Sequence, residues 1–404
     1  MTLRRYALAA AATAAVTATV IALPMTTASA QDRVPPKQSS SHSQTDGTMP
    51  QSEAGKGPNE TPGKDGLSTE GTTGESEGHE NEDANEDGEN GGHGSGAYTI
   101  GLWGDQPYDA AGIAAEPSVL ADINKQPLSF TIFDGDIKAG SKSYCGTDPN
   151  PASPTYNWNP YTNAKSMFDT VTWATVYTPG DNEWTDCDRV SNGALDPNTQ
   201  LALIRTMFFS TNKSQGLNPI EVTQQSKDYP ENARWERGGV TYITVNTPGT
   251  DNNAPQFDAN GNMLDPDGVI TTKPAQQNGN QAEYSARNEA NLEWLEEGFD
   301  YAKEHHSQGV MVVQQGDMWN SAINSDPVTH YADEKAKLAE LTSEFTGKVA
   351  LINGDSHVMT IDNPLGLSNF TRVVTPGKTQ HGWVKVAVDA STPDVFSFAA
   401  QIIP

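Results

Sequence analysis

The sequence predicts an α/β domain over residues 97–404, and three observations support that prediction. Five short apolar runs, rich in β-branched and aromatic residues, each stop at or just before a Gly-Asp pair. Segments with apolar residues at helical spacing lie between some of these runs. Residues 31–96 contain no aromatic residue and cannot contribute to a core. Strands that alternate with helices favour parallel pairing in a layered sheet.

Residues 1–30 have the pattern of an export signal. Arg4 and Arg5 precede an apolar stretch that reaches Leu23, and Ala28-Ser29-Ala30 forms a small-residue cleavage site. We therefore expect a secreted protein, exported by the Sec route or by the twin-arginine route. A retained membrane anchor is the alternative, and the apolar stretch ends too early at Pro24 to favour it.

Residues 31–96 are rich in Gly, Ser, Thr, Asn and acidic residues. They include fourteen acidic and four basic side chains, which repel one another and extend the chain. Because so few apolar residues are available for burial, we expect a disordered acidic tail. The predicted domain organisation is therefore a signal peptide, this tail and one domain over 97–404.

The charge of the whole chain limits the partners that it can bind. There are 52 acidic and 25 basic side chains, a formal net charge of -27 and a sequence pI near 4.5. Nucleic acids are bound through basic surfaces that neutralise phosphates, so this composition argues against a nucleic-acid partner.

The five apolar runs are typical of strands that are buried on both faces. In chain order they are Thr99–Trp103 before Gly104-Asp105, Ser129–Phe133 before Gly135-Asp136, Ala174–Tyr177 before Gly180-Asp181, Gly309–Gln315 before Gly316-Asp317, and Lys348–Asn353 before Gly354-Asp355.

Three helices are predicted between these strands. The first covers 117–126 and has Pro117 in its opening turn. The second covers 197–209 behind Asp196, which has the side chain of an N-cap. The third runs from about residue 284 to 306, with apolar residues at helical spacing.

Every one of the five aspartates follows the carboxyl end of a predicted strand. Ligands of layered α/β sheets bind at that edge. One Gly-Asp pair after a strand is usually a turn, but five in one domain predict a shared site. Carboxylates that converge repel one another and resist burial, and a divalent cation relieves both effects. The sequence therefore predicts a metal site.

This series of motifs resembles that of the calcineurin-like metallophosphoesterases, which include the purple acid phosphatases. That family places its ligands after successive strands as Asp-x-His, Gly-Asp, Gly-Asn-His-Asp/Glu, a lone His and Gly-His-x-His. The corresponding segments here are Asp105-Gln106-Pro107, Gly135-Asp136, Gly180-Asp181-Asn182-Glu183, Gln314-Gln315 and Gly354-Asp355-Ser356-His357. They look like a divergent, His-poor branch of exported proteins. The resemblance implies a four-layer αββα sandwich of two mixed sheets flanked by helices.

The resemblance also implies a set of metal ligands. Asp105 would bind one ion, Asp136 would bridge two ions, and His357 would complete the first site. Asp181 stands where the family has its Asn ligand, and Asp355 stands where it has a His. Gln315, or its neighbour Gln314, stands near the lone His and offers a carbonyl oxygen.

Two departures from the family replace an imidazole. Pro107 occupies the place of a ligating His, and Asn182 occupies the place of the His that assists the leaving group. Asn182 can hydrogen-bond a phosphate oxygen, but it cannot donate a catalytic proton as a His does. Oxygen-rich donor sets suit hard cations. We therefore expect one or two Mn, Mg or Ca ions, with Zn and Fe as alternatives.

Four other residues are interpreted individually. Lys138 and His381 are candidates for contact with a substrate anion, together with Asn182. Lys138 could instead pair with a neighbouring Asp, and His381 could be an ordinary loop histidine. Cys145 and Cys187, the two cysteines of the chain, predict a disulfide in an exported protein, with free thiols as the alternative.

These inferences lead to two hypotheses about function. The first is an exported phosphoesterase that hydrolyses a small phosphomonoester or phosphodiester with a metal-activated water, in which Asp136 and Asn182 belong to the catalytic site. The second keeps the fold and the metal but not the catalysis, as a metal-stabilised binding or surface-interaction module.

Overall fold

The computed structural model of the protein describes residues 96–153, 156–320 and 330–403. Within these ranges, two mixed β-sheets form the centre of the domain. The predicted signal peptide of residues 1–30 lies outside the described residues, and so does the acidic tail up to residue 95.

The first sheet has five strands in the order β12-β11-β1-β2-β3. β1, β2 and β3 are parallel, whereas β11 is antiparallel to β1 and β12 is antiparallel to β11. The strands are β1 (Tyr98–Trp103), β2 (Thr131–Phe133), β3 (Thr175–Tyr177), β11 (Gly382–Asp389) and β12 (Val395–Ile402).

The second sheet has seven strands in the order β4-β5-β6-β7-β8-β10-β9. Its central strands β6, β7, β8 and β10 are parallel, and the outer strands pair antiparallel. The strands are β4 (Thr223–Gln224), β5 (Ala233–Arg237), β6 (Val240–Thr244), β7 (Gly309–Val313), β8 (Lys348–Asn353), β9 (Thr360–Asp362) and β10 (Phe370–Val374).

Helices cover the outer face of each sheet. Three pack on the five-stranded sheet, in a core that includes Trp103, Phe133 and Phe168. Two pack on the seven-stranded sheet, in a core that includes Val312 and Leu351. The helices are α1 (Ala110–Lys125), α2 (Pro160–Phe168), α3 (Pro197–Phe208), α5 (Gln281–Glu304) and α6 (Ala332–Glu344), and the four-residue turn α4 (Gly249–Asn252) lies between β6 and α5.

A third core fills the space between the two sheets. Ile100 and Ile132 enter it from the first sheet, and Val313 and Ile352 enter it from the second. Successive strand residues point to opposite faces, so each central strand contributes to this core and to the core beneath the helices. The layers are therefore helix, sheet, sheet and helix, and the predicted αββα sandwich is confirmed.

The helix predictions are confirmed for α3 and α5, but the predicted start of the first helix is wrong. α1 begins seven residues before Pro117, at Ala110, and Asp109 is its N-cap: the Asp109 carboxylate accepts a hydrogen bond from the Gly112 amide at 2.9 Å. Pro117 therefore lies inside the helix. The alanine-rich first half of α1 favours helix strongly enough to include it. None of the helices in the described ranges is long and apolar enough to cross a membrane.

Candidate metal centre

The candidate site lies at the carboxyl ends of β1, β2, β3, β7 and β8. Hydrogen bonds join the edges of the two sheets there. The Asp355 amide, after β8, donates to both carboxylate oxygens of Asp105, after β1, at 3.2 and 3.1 Å. Gln315 Nε2, after β7, donates to Asp181 Oδ1, after β3, at 2.9 Å. Aspartates from both sheets therefore meet in one place.

Gly180 and Gly354, which precede Asp181 and Asp355, allow the carboxylates to approach one another closely. A Cβ on Gly180 would lie 2.1 Å from Asp136 Oδ1, and a Cβ on Gly354 would lie 2.2 Å from Asp105 Oδ2. A side chain at Gly180 would displace the Asp136 carboxylate after the neighbouring strand β2, and a side chain at Gly354 would displace the Asp105 carboxylate after β1 of the other sheet. The glycine of each of these two Gly-Asp pairs is therefore needed so that the aspartates can pack closely together.

Asp105, Asp136 and His357 form the tightest group of possible ligands. One ligand atom from each lies within 4.8 Å of the other two. Both carboxylates are buried, and His357 Nε2 is 3.4 Å from Asp105 Oδ1. All three residues have left-handed backbones, with φ of 52°, 63° and 64°. Such conformations are costly for non-glycine residues and concentrate at functional sites, because the surrounding fold must hold them.

The hydroxyl of Tyr108 lies among these three side chains. It is 2.9 Å from Asp105 Oδ1, 2.5 Å from Asp136 Oδ2 and 3.1 Å from His357 Nε2. Burial raises the pKa of the Tyr108 hydroxyl well above its usual value, and the charges of Asp105 and Asp136 raise it further. We call Asp105, Asp136, His357 and Tyr108 the histidine cluster.

Asn182 and Glu183 fix the position of Asp136. Asn182 donates to Asp136 twice, from its backbone amide at 3.2 Å and from its side chain at 2.6 Å. Glu183 Oε1 accepts the Asp136 amide at 3.1 Å, the Gly180 amide at 2.8 Å and the Tyr177 hydroxyl at 2.8 Å. The loops after β2 and β3 are therefore held as one unit.

Asp181 and Asp355 lie beside the histidine cluster. A Cβ on Gly249 would lie 2.8 Å from Asp355 Oδ2 and 3.0 Å from Asp181 Oδ2, so both carboxylates approach this glycine. Asp181 Oδ2 also accepts from the Thr250 hydroxyl at 2.5 Å. The five ligands expected on strand ends are thus arranged as one triad with two adjacent carboxylates.

A buried arginine network supports Asp355. The Asp317 amide donates to Asp355 Oδ2 at 3.1 Å, and the Ser356 hydroxyl donates to the Asp317 carboxylate. Arg372 lies 2.5 Å from Asp317 and donates to both oxygens of Asp362, at 2.8 and 2.7 Å. We call Asp181, Asp355, Asp317 and Arg372 the arginine cluster.

Burial and mutual repulsion dominate the electrostatics of the site. Burial raises the pKa of Asp136 well above its ordinary value, and the nearby charges of Asp181 and Glu183 add to the effect. Burial also raises the pKa of Asp355, followed by the charge of Asp181. Burial likewise raises the pKa of Asp134, which lies next to these groups.

Side-chain cations do not balance this charge. Among the described residues, no Lys or Arg pairs within 4 Å with Asp105, Asp136, Asp181 or Asp355. The buried Asp134 Oδ1 and Glu183 Oε2 also lack a hydrogen-bond partner in the part of the chain described. Carboxylates buried in this way are neutralised either by a proton, in the direction of the raised pKa values, or by a cation. The donor atoms are four carboxylates and one imidazole, which fits a hard divalent ion.

The site opens into a cleft of about 440 Å³. Arg189 and Lys378 line the cleft beside the acidic residues. Arg189 is held by Asp186 at 2.5 Å and by the Gly140 carbonyl at 2.6 Å, whereas Lys378 is exposed at the rim. The cleft therefore combines an acidic floor with two basic side chains on its walls.

The other residues singled out from sequence lie around this cleft. Gln315 is buried, and its Oε1 accepts from the Gly249 amide at 2.6 Å and from the Asp181 amide at 3.3 Å. Lys138 is buried, donates to the Ala139 carbonyl at 2.9 Å and does not line the cleft. His381 lies directly before β11 and is not part of the cleft wall either. The ligand role of Gln315 and the substrate contacts of Lys138 and His381 stay predictions.

The predicted disulfide is confirmed. Cys145 and Cys187 are bonded, with their Cα atoms 5.6 Å apart and a sequence separation of 42. The bond ties the loop after β2 to the short 3-10 turn Thr185–Asp188, which follows Asp181. It therefore stabilises the pair of loops that carry Asp136 and Asp181.

Sequence reasoning missed two residues of the site. Tyr108 and Thr250 contact the predicted ligands through hydroxyl groups. Tyr108 is three residues after Asp105, and this short spacing was the one available signal, whereas Thr250 follows no strand-end motif. The sequence left Arg372 with two interpretations, contact with a substrate anion or an ion pair with an Asp, and the structure shows ion pairs with Asp317 and Asp362.

Comparisons with known proteins give a fold likeness only. No family model and no curated protein matches the chain. Several solved structures are similar to it. GAP50, the anchor in the inner membrane complex of Plasmodium, has a TM-score of 0.40 and 12% identity, over 76% of this chain and 89% of that one.

A dimetal phosphatase from Danio rerio has a TM-score of 0.40 and 11% identity, over 72% of this chain and 92% of that one. A putative 5'-nucleotidase from Staphylococcus aureus has a TM-score of 0.39 and 14% identity, over 76% of this chain and 54% of that one. Likeness at this level does not transfer an activity, a substrate or a partner.

Proposed function

We propose that the protein is an exported, metal-dependent hydrolase of phosphoric esters, acting on a small phosphomonoester or phosphodiester. The observation that carries the proposal is the meeting of buried carboxylates from two sheets with one imidazole, at a cleft and, within the described ranges, without a paired Lys or Arg. Sites of this kind hold divalent cations.

Asp105, Asp136 and His357 would hold one ion, and Asp181 and Asp355 with Asp136 would hold a second. Mn, Mg or Ca fits the oxygen-rich donors best, and Zn or Fe remains the alternative. When bound, such ions polarise a phosphoryl oxygen and activate a water for in-line attack.

The protein's own side chains would orient the ester. Arg189 and Lys378 supply positive charge on the cleft walls, where an anionic group would enter. Asn182 Nδ2 donates to Asp136 and, at 2.9 Å, to Tyr108, so it lies at the inner end of the same cleft. To donate to a phosphate oxygen it would give up one of these two bonds, because the amide nitrogen has two hydrogens.

Asn182 has no proton to give to a leaving group. Esters whose leaving group departs without protonation should therefore be the better substrates, and aryl phosphates are of this type. We expect kcat/KM to fall steeply as the pKa of the leaving group rises across a series of substituted phenyl phosphates. A flat dependence would show that another group donates the proton.

The direct test combines metal analysis with hydrolysis. Purified protein is assayed on 4-nitrophenyl phosphate and bis(4-nitrophenyl) phosphate with Mn, Mg, Ca, Zn or Fe, and metal binding is measured by calorimetry. Asp136→Asn should lower both metal affinity and kcat/KM by at least about a hundredfold, because it removes a shared charged ligand. Asp169→Asn, which changes an exposed carboxylate on the protein surface, is the control.

The catalytically inactive module is the second candidate, and the amide of Asn182 at the inner end of the cleft is the observation that favours it. It predicts tight metal binding and a raised melting temperature with no turnover of any ester. Absence of metal binding would remove both candidates.

Export is proposed from residues 1–30 and is supported by the disulfide, because such bonds persist in oxidising compartments. The mature N-terminus of protein recovered from the medium should lie directly after Ala30. Protein that keeps residues 1–30 in the membrane fraction would favour the anchor instead.

A further inference from the structure

The chain between β6 and α5 contains a left-handed turn that has no glycine. Thr250, Asp251, Asn252 and Asn253 follow one another with φ of 48°, 52°, 59° and 58°. In the described ranges, the other non-glycine residues with left-handed backbones occur singly. Left-handed backbone is costly for residues that have a Cβ, and most of all for a β-branched residue such as Thr. A turn of this kind persists only where the surrounding structure holds it.

Arg287, in α5, holds this left-handed turn (residues 250–253). Its side chain is fully buried, and each of its five N–H groups has an acceptor. Nη1 donates to Asn252 Oδ1 at 2.6 Å, and Nη2 donates to the Asn252 carbonyl at 2.7 Å. The other three bonds go to the Asn246 carbonyl at 3.0 Å and to the two oxygens of Glu283 at 2.7 and 3.2 Å. A lysine cannot reproduce this planar set of donors.

Two further side chains bind the same turn. Glu283 Oε2 accepts from Asn253 Nδ2 at 2.6 Å. The Tyr331 hydroxyl accepts from the Asn252 amide at 3.0 Å and donates to the Pro248 carbonyl at 2.9 Å. The left-handed turn is therefore fixed by α5 on one side and by the residue that precedes α6 on the other.

The first residue of the turn lines the cleft. Thr250 Oγ1 donates to Asp181 Oδ2 at 2.5 Å, lies 3.0 Å from Asp186 Oδ1 and is 3.4 Å from Arg189 Nη2. A right-handed turn of the same residues would give the Thr250 Cβ another direction. The contact between Thr250 and Asp181 therefore depends on the hand of the turn.

We propose that Arg287 is a positioning residue of the cleft, which keeps residues 250–253 left-handed and thereby holds Thr250 against Asp181. This inference rests on the proposed metal site, in which Asp181 would bind the second ion. Arg287 does not line the cleft, and its five N–H groups are engaged elsewhere, so its effect passes through Thr250.

The test is a double-mutant cycle on the full chain, with Mn²⁺ as the probe and calorimetry as the measurement. Thr250→Val removes the hydroxyl and keeps the β-branched shape. Arg287→Lys keeps the positive charge but loses the set of donors that binds Asn252. We expect each single variant to bind Mn²⁺ about tenfold more weakly, the range for residues that orient a ligand. The double variant should bind no more weakly than the weaker of the two single variants.

Arg234→Lys is the matched control. Arg234 also packs against α5, where its guanidinium lies over the rings of Trp294 and Tyr301 farther along the helix. It should leave the affinity for Mn²⁺ unchanged, both alone and in combination with Thr250→Val. Thermal unfolding in the presence of chelator checks that each variant is folded.

Glu283→Gln is the milder variant if Arg287→Lys does not fold. It leaves Arg287 in place but removes the charge of its partner and the acceptor of Asn253. We expect a smaller loss of Mn²⁺ affinity, which should also disappear when Thr250 is already Val.

Three results would overturn the positioning role and leave the metal site intact. They are unchanged Mn²⁺ affinity in folded Arg287→Lys or Glu283→Gln, unchanged affinity in Thr250→Val, and losses that add in full when the variants are combined. Wild-type protein that binds no Mn²⁺ would overturn the proposed function, and this inference with it.

Discussion

The histidine cluster and the arginine cluster hold their carboxylates in different ways. In the histidine cluster, Asp105 and Asp136 meet a hydroxyl, amides and one imidazole, and neither has a Lys or Arg partner among the described residues. In the arginine cluster, the guanidinium of Arg372 lies 2.5 Å from Asp317 and also binds Asp362.

The two clusters therefore differ in whether they contain a positively charged side chain. The arginine cluster contains a cation of its own, which lies one hydrogen bond away from Asp355 through the Asp317 amide. The histidine cluster has no Lys or Arg partner among the described residues, and we expect it to bind a cation from solution. We therefore expect the ion at the histidine cluster to bind more tightly, and the arginine cluster to stay ordered without metal.

Removal of the Arg372 guanidinium should have the largest effect on the free energy of unfolding. Arg372→Met keeps the length of the side chain but removes the guanidinium that lies 2.5 Å from the buried Asp317 carboxylate. Loss of one partner of a buried pair destabilises by about 3 kcal/mol or more. The free energy of unfolding in urea, with chelator present, measures this loss. Lys337→Met, which breaks an exposed pair with Glu296, should change it by about 0.5 kcal/mol or less.

Equal losses in the two variants would mean that Arg372 does not balance a buried charge. The ion at the histidine cluster should keep its affinity for Mn²⁺ to within a few-fold in Arg372→Met. A complete loss of that affinity would show that the two clusters are not separate.

The pH dependence of the metal-free protein should be the next largest effect. Burial and the charge of Asp181 raise the pKa of Asp186 to about 8, despite the nearby Arg189. Burial raises the pKa of Glu334 to about 7. A carboxyl with a higher pKa in the folded chain binds its proton more tightly there. Its contribution is complete below about pH 4, the unfolded value, and is lost as the pH rises through the folded value.

With chelator, the protein should therefore be more stable at pH 5.5 than at pH 8, by at least about 1 kcal/mol. Burial lowers the pKa of Lys138 to about 8, so this lysine acts in the opposite direction only above that pH. With saturating Mn²⁺ the profile should flatten, because the ion neutralises the carboxylates at high pH. Thermal unfolding across this range is the measurement, and a metal-free profile that rises with pH would contradict the charge imbalance.

The strand ends and their aspartates could be predicted from the sequence, because each Gly-Asp pair directly follows an apolar run. The groups that link the aspartates could not be predicted in this way. Arg372 is 55 residues from Asp317, and Tyr108 is 249 residues from His357. Such contacts are set by the packing of two sheets. The start of α1 was missed because Pro117 suggested an opening turn, whereas Asp109 provides the cap.

Substitution of Gln315, which links the two sheets, should give the smallest effect. It distinguishes a residue that binds a metal from one that orients a metal ligand. If its oxygen binds a metal, Gln315→Glu adds a charged ligand and should tighten Mn²⁺ binding. The structure favours the opposite result. Oε1 already accepts two backbone amides, and Nε2 donates to Asp181, so a Glu would lose that donor and repel Asp181. We expect affinity to fall by about tenfold, the range for residues that orient a ligand.

Gln314→Glu is the matched control, since Gln314 is also fully buried but its Nε2 bonds the Gly316 carbonyl at 2.9 Å and makes no contact with Asp181. Both variants bury an added carboxylate, so a fall in stability is common to them, whereas a fall in Mn²⁺ affinity should be confined to Gln315→Glu. Tighter binding in Gln315→Glu would restore the glutamine as a ligand. The arginine cluster would then include a metal donor from β7, and its ion would rival the one at the histidine cluster.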